Sequence, residues 1–235
     1  MRVALILLIA VVAAGCTSGG RLFKPKYEYE EELYLALDGS ATLNLNASVA
    51  ALVALRGADL DPNPRARIDR NGVRALFQAP GVTPSVSLAR GDGRRFVHVT
   101  VNVDDVTTLS RLAPLSWSAY YFNQRGDTYE FRQTVGPPRG RSVGEVGWTG
   151  GELVAFRVHL PSQILFHNAP SRTVERGNIL EWEQPLTDRL AGHPLDIQVR
   201  LEPRSILYTT LLLFGSTIIA AAAAFGIVIW WIRLQ

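Results

Sequence analysis

The chain reads as an α+β domain, an antiparallel sheet with helices on one face, followed by a C-terminal transmembrane helix. Three observations predict this. Asp-Gly and Gly-Asp turn signals at 38–39, 91–93 and 126–127 each separate segments that alternate apolar and polar residues. Two stretches, 47–55 and 61–78, carry helix start and stop residues instead. Residues 205–232 form a run of 28 without a charge.

The amino terminus is laid out as an export signal. Met1 and Arg2 supply a minimal positive region, residues 3–12 an apolar stretch too short to span, and Ala13-Ala14-Gly15-Cys16 a cleavage site of small residues. The tetrapeptide resembles a bacterial lipobox, with Ala13 where leucine is more usual. Cys16 is the only cysteine, so no internal disulfide can form and its thiol is free for lipidation. The expectation is a signal peptide over 1–15, a covalent diacylglycerol on Cys16 and a lipid-anchored spacer over 16–26. An ordinary signal with a chance cysteine is the plainer alternative.

The extracytoplasmic domain is expected over 27–203. Residues 27–46 read as a hairpin around Asp38-Gly39, with Tyr29, Glu31, Leu33, Leu35 and Leu37 at period 2. Residues 47–55 turn into a helix ended by Gly57. Asp61-Pro62-Asn63-Pro64 offers cap and first-turn residues for a second helix reaching about Gln78, with Asn71-Gly72 as a weak point. A second hairpin spans 86–103, Asp104 or Asp105 caps a short helix to Leu112, and a third hairpin turns at 125–127. Residues 136–151, with six glycines and two prolines, read as a mobile surface loop. Strands are expected at 153–160, 162–167, 173–183 around Gly177-Asn178, and 195–201.

The apolar run is the transmembrane helix. About 27 residues rise roughly 40 Å, more than the ~30 Å hydrocarbon core. Tyr208 near one end and Trp230-Trp231 near the other fit interfacial belts. Arg204 and Arg233 are too few to set orientation, so the export signal does: the domain lies outside and 233–235 is a cytoplasmic tail. Ala220–224 with Gly215, Ser216 and Gly226 provides a small-residue surface for a second helix, as in a homodimer or a membrane protein complex. A long apolar helix places the protein in the inner (cytoplasmic) membrane, its domain facing the periplasm or cell exterior.

The formal charge of +3 and pI near 9.2 suit an anionic partner. Membrane lipid is the natural one, and the extracytoplasmic location argues against nucleic acid. Arg67, Arg70 and Arg74 fall on one face of a continuous second helix and are candidates for headgroup contact, or else a solvated face. Trp117, Tyr120 and Trp182 belong to an aromatic population that suits either a lipid groove or a sheet core. Gly140-Arg141-Ser142-Val143-Gly144 matches G-x-S-x-G, but turn residues surround it where a strand and helix are needed. His98, His159, His167 and His193 lack metal-ligand spacing. Neither a cofactor, a metal nor a catalytic residue is expected. Glu30-Glu31-Glu32 reads as a solvated edge and Asp104-Asp105 as a cap.

In the last block, VAFRVHLPSQILFHNA followed by VERGNILEW carries Phe156, Val158, Leu160, Pro161, Asn168, Ala169 and Trp182. This pattern, and the order of lipobox, early hairpin, mixed middle and membrane helix, resembles the LppM-type envelope lipoproteins. The resemblance implies a non-enzymatic, membrane-apposed α+β domain with affinity for lipids or glycolipids, and it carries over no catalytic residue. The alternative reading is an accessory or assembly subunit of a membrane complex.

Overall fold

The computed structural model describes residues 26–171, 174–175 and 177–233, and of 206–209 the backbone alone. The segments expected as signal peptide and spacer, up to residue 25 and with Cys16 among them, lie outside the described residues, as do 234–235. Among the described residues the class is α+β, with ten strands, few helices and a long C-terminal helix. The strands divide between two sheets rather than one. The first, six-stranded, runs in the order β3-β4-β2-β1-β7-β9; the second, four-stranded, runs β5-β6-β10-β8.

Local chemistry builds the hairpins where the turn signals stand. β1 (Lys26–Leu35) pairs antiparallel with β2 (Ala41–Ser48) across Gly39, whose φ of 88° needs glycine. β3 (Ser85–Gly91) and β4 (Arg94–Val103) join through Asp92 and Gly93, both at positive φ. β5 (Ser118–Arg125) and β6 (Thr128–Val135) turn at Gly126. β7 (Glu152–His159) then pairs parallel with β1 and antiparallel with β9 (Ile179–Pro185). The parallel pair joins strands more than 100 residues apart, a separation that leaves ample chain for the crossover such pairing needs. β8 (Ser162–His167) and β10 (Leu195–Ser205) complete the second sheet. Ahead of Gly177-Asn178, the described residues hold only an isolated bridge from Glu175 to Ile179.

Helix α1 (Val49–Arg56) starts at Ser48, whose side chain accepts from the Ala51 amide, and stops at left-handed Gly57. All eight of its residues are buried, as befits a helix with apolar residues on every side. Val106–Arg111 is a 3-10 helix capped by Asp105. Two short helices follow the chain elsewhere: α2 (Arg70–Leu76) and α3 (Leu186–Leu190).

The second helix is shorter than the sequence predicts. The Asp61 side chain accepts from the Asn63 amide and the Asn63 side chain from the Arg65 amide, so local turns capture this backbone. Asp69, accepting from Asn71 and Gly72, is the true cap. Residues 136–151 depart in the opposite sense, being seated on α1. The Arg139 amide donates to the Leu55 carbonyl at 3.1 Å and that of Arg141 to Val53 at 3.4 Å. These bonds use carbonyls near the end of α1.

One core lies between the sheets. Tyr29 meets Trp117 edge-on at 5.5 Å between ring centroids, and Trp117 lies 6.1 Å from Phe156. The solvated-edge expectation for Glu30-Glu31-Glu32 is corrected here: β1 is an interior strand, and Glu31 is buried with Tyr29 and Leu33. Glu28 is buried too, because the β1–β7 register slips between Tyr27 and Tyr29, bringing Glu28 and Tyr29 inward together.

Candidate functional site

The feature that sets the domain's surroundings is the end of β10. Its last residue, Ser205, pairs with Ser162 of β8, and α4 (Ile206–Arg233) begins at the next residue. The strand expected at 195–201 therefore continues to the helix. Within α4, Thr210–Arg233 contains an 18-residue stretch of mean hydropathy 2.3 and is long and apolar enough to cross a membrane. Its side chains, from Leu211 to Trp231, stand away from the domain. Water is a poor surrounding for so continuous an apolar surface.

Above this junction, the outer face of the four-stranded sheet gathers three arginines. On β6, Arg132 donates from Nε (2.8 Å) and Nη2 (2.6 Å) to Glu130 Oε1. Arg125 Nε lies 3.4 Å from the other oxygen of the same carboxylate. Arg200 of β10, opposite Glu130 in register, places its guanidinium 4.8 Å from the Phe166 ring centroid. These residues line a depression of ≈ 380 Å³. Three guanidinium groups against one carboxylate give it a net charge of +2. Beside it, β8 exposes Leu165 by 50% and Phe166 by 40%.

The interior polar groups make two clusters. Glu31 accepts from Tyr29, Tyr120 (3.0 Å), Gln133 (2.9 Å) and Trp117 Nε1 (3.4 Å). Arg56 lies over the Trp117 ring, and Arg189 donates to the carbonyls of His193 and Gly136. Burial lowers the Arg56 guanidinium to about 9 and raises the Tyr29 and Tyr120 phenols well above their usual value. In the second cluster, Arg94 Nη1 sits 3.1 Å from Glu28 and 3.6 Å from Glu152. Trp148 donates to Glu28 at 2.9 Å. Burial would raise the Glu152 carboxyl, but the Thr149 and Gly150 amides hold it below its ordinary value. Both clusters tie distant strands together inside the core.

The open face of the six-stranded sheet is a lattice of paired groups. Arg157 bridges Glu30 (2.7 Å) and Glu181 (2.6 Å), His159 meets Glu32 at 2.7 Å, and Tyr34 stacks on the His159 ring. Thr100 donates to Asn44 at 2.8 Å.

The aromatic candidates resolve as core. Trp117 is 5% exposed, Tyr120 7% and Trp182 2%, so none faces a lipid groove. The packing reason is plain: Trp117 and Tyr120 meet the Glu31 cluster, and Trp182 packs inward while its Nε1 donates to Asn168 at 3.2 Å. Arg67, Arg70 and Arg74 are exposed, but Arg67 precedes α2. The three therefore form no single helical stripe, although Arg70 and Arg74 share a face at i, i+4. Ser142 is exposed in the loop over α1, with no helix after it, so the elbow geometry its motif requires is missing. Cys16 lies outside the described residues. Arg125, Arg132 and Arg200 escaped the sequence reading because they come from three strands and meet only through the β5-β6-β10 order.

No family model matches this sequence, and no curated protein matches it. Among solved structures, the NMR structure of the folded domain of Mycobacterium tuberculosis LppM matches over 80% of this chain and 97% of that chain. The TM-score is 0.40 and the sequence identity 10%.

Proposed function

We propose that this protein is a doubly membrane-anchored bacterial envelope lipoprotein whose non-enzymatic extracytoplasmic domain binds lipid or glycolipid at the membrane surface. The observation that carries the reading is the fusion of β10 to α4 without a linker. A domain joined this way cannot drift from the bilayer, and lipid is its most concentrated neighbour. The aromatic side chains first considered for lipid are packed inside, so contact belongs to the outer surface and the headgroup layer rather than to an internal acyl groove. Diacylglycerol on Cys16 would be the second tether, and the inner membrane the location. The test is native mass spectrometry of the full chain extracted in neutral detergent. Co-purifying lipid at near-stoichiometric occupancy is expected. A stoichiometric protein partner without lipid would favour an accessory subunit of a membrane complex instead.

A further inference from the structure

We infer that Arg125, Arg132 and Arg200 form a binding site for the phosphate groups of anionic lipids in the membrane that α4 enters, an inference that rests on the membrane-tethered reading above. Charge complementarity comes first. Glu130 is the one carboxylate lining the depression, and its two oxygens are already engaged by Arg132 and Arg125. Among the described residues Arg200 has no carboxylate within ion-pair distance and faces only the Phe166 ring. A planar guanidinium offers a fork of donors that matches two phosphate oxygens. The site therefore holds unspent positive charge on an already ordered frame.

Position selects the source of the phosphate. Arg200 precedes Ile206, where α4 begins, by six residues, so it stands no more than about 20 Å along the chain from the start of α4. The headgroup layer occupies roughly 5–8 Å of that distance. Exposed Phe166 on neighbouring β8 gives the same surface an apolar rim. A free anion would use the arginines but not this rim. A lipid uses both.

The experiment presents the full chain, in neutral detergent, with equal amounts of phosphatidylglycerol and phosphatidylcholine and reads retained lipid by native mass spectrometry. Wild type is expected to prefer phosphatidylglycerol, Arg200→Gln to reduce that preference about fivefold, and Glu130→Gln to increase it by removing the competing carboxylate. Arg111→Gln, at the end of the 3-10 helix, should leave it unchanged. An Arg200→Gln ratio equal to that of wild type overturns the site. So does displacement of phosphatidylglycerol by equimolar inorganic phosphate, which would make this a free-anion site. Retention of both lipids without preference sinks this inference and leaves the tethered reading standing. Release of the chain from membranes by alkaline carbonate sinks that reading itself. Arg200 is exposed, so its variant decides the matter even if Glu130→Gln fails to fold.

Discussion

Replacing Gly140 with alanine should unseat residues 136–151 from α1. An added Cβ would lie 2.0 Å from the Val53 carbonyl oxygen and 2.2 Å from that of Ala54. Both are backbone atoms inside a buried helix, so they cannot yield and the loop must lift. Lifting breaks the Arg139-to-Leu55 and Arg141-to-Val53 bonds, each contributing about 1 kcal/mol net. It also wets part of the otherwise buried helix end. Val53 keeps its bond from Gly57, and Leu55 its bond from Arg56 at 3.3 Å, so neither carbonyl is fully orphaned. The total comes to roughly 2–4 kcal/mol. With a urea slope of about 1–3 kcal/mol per molar, the midpoint followed by circular dichroism of the full chain in detergent should fall by about 1 M or more. Gly151→Ala is the control, because its new Cβ meets nothing within 4 Å, and it should stay within about 0.5 kcal/mol of wild type. Equal midpoints for the two variants would refute the seating of the loop on α1.

Arg94→Ala should cost about 3–5 kcal/mol by leaving buried Glu28 and Glu152 without their cation; a thermal-melt change below about 1 kcal/mol would mean the cluster is open to water. Alkaline titration tests the interior phenols. Burial raises Tyr27, Tyr29 and Tyr120, so the stability they contribute is intact below the free-phenol value of about 10 and lost as pH climbs toward the folded values. Of the seven tyrosines, buried Tyr29 and Tyr120 should ionise only with unfolding when phenolate absorbance is followed, whereas their reversible titration in the folded chain would contradict the burial. Glu152 works in the opposite direction: its lowered value adds stability above the ordinary carboxylate range that is lost as pH falls through the folded value. Glu152→Gln should therefore flatten the acid limb of a stability-against-pH curve, and an unchanged limb would remove that carboxylate from the account.

What the sequence made legible was local chemistry. Asp38-Gly39, Asp92-Gly93 and Gly126 mark turns that need positive φ, Ser48 and Gly57 bracket α1, and Asp105 caps the 3-10 helix. Each signal lies within a few residues of its effect. Pairing at long range was not legible. The parallel union of β1 with β7 depends on contacts more than 100 residues apart, and the second sheet on β6–β10 pairs separated by 60 residues or more. Glu28 and Glu31 look solvated in a charged run, yet a register slip and an interior strand position bury them with Arg94 and the Tyr29 cluster. The same reasoning applies to the arginine face: its members are unremarkable in three separate strands and become a site only when β6 and β10 lie side by side.

The central claim is that α4 crosses a bilayer and holds the domain against it. Alkaline carbonate extraction of membranes carrying the Cys16→Ser chain isolates that claim, since the variant can have no lipid on its only cysteine. The account predicts that this chain stays with the membrane pellet and moves to the soluble fraction only when detergent is added. Recovery in the carbonate supernatant would contradict it.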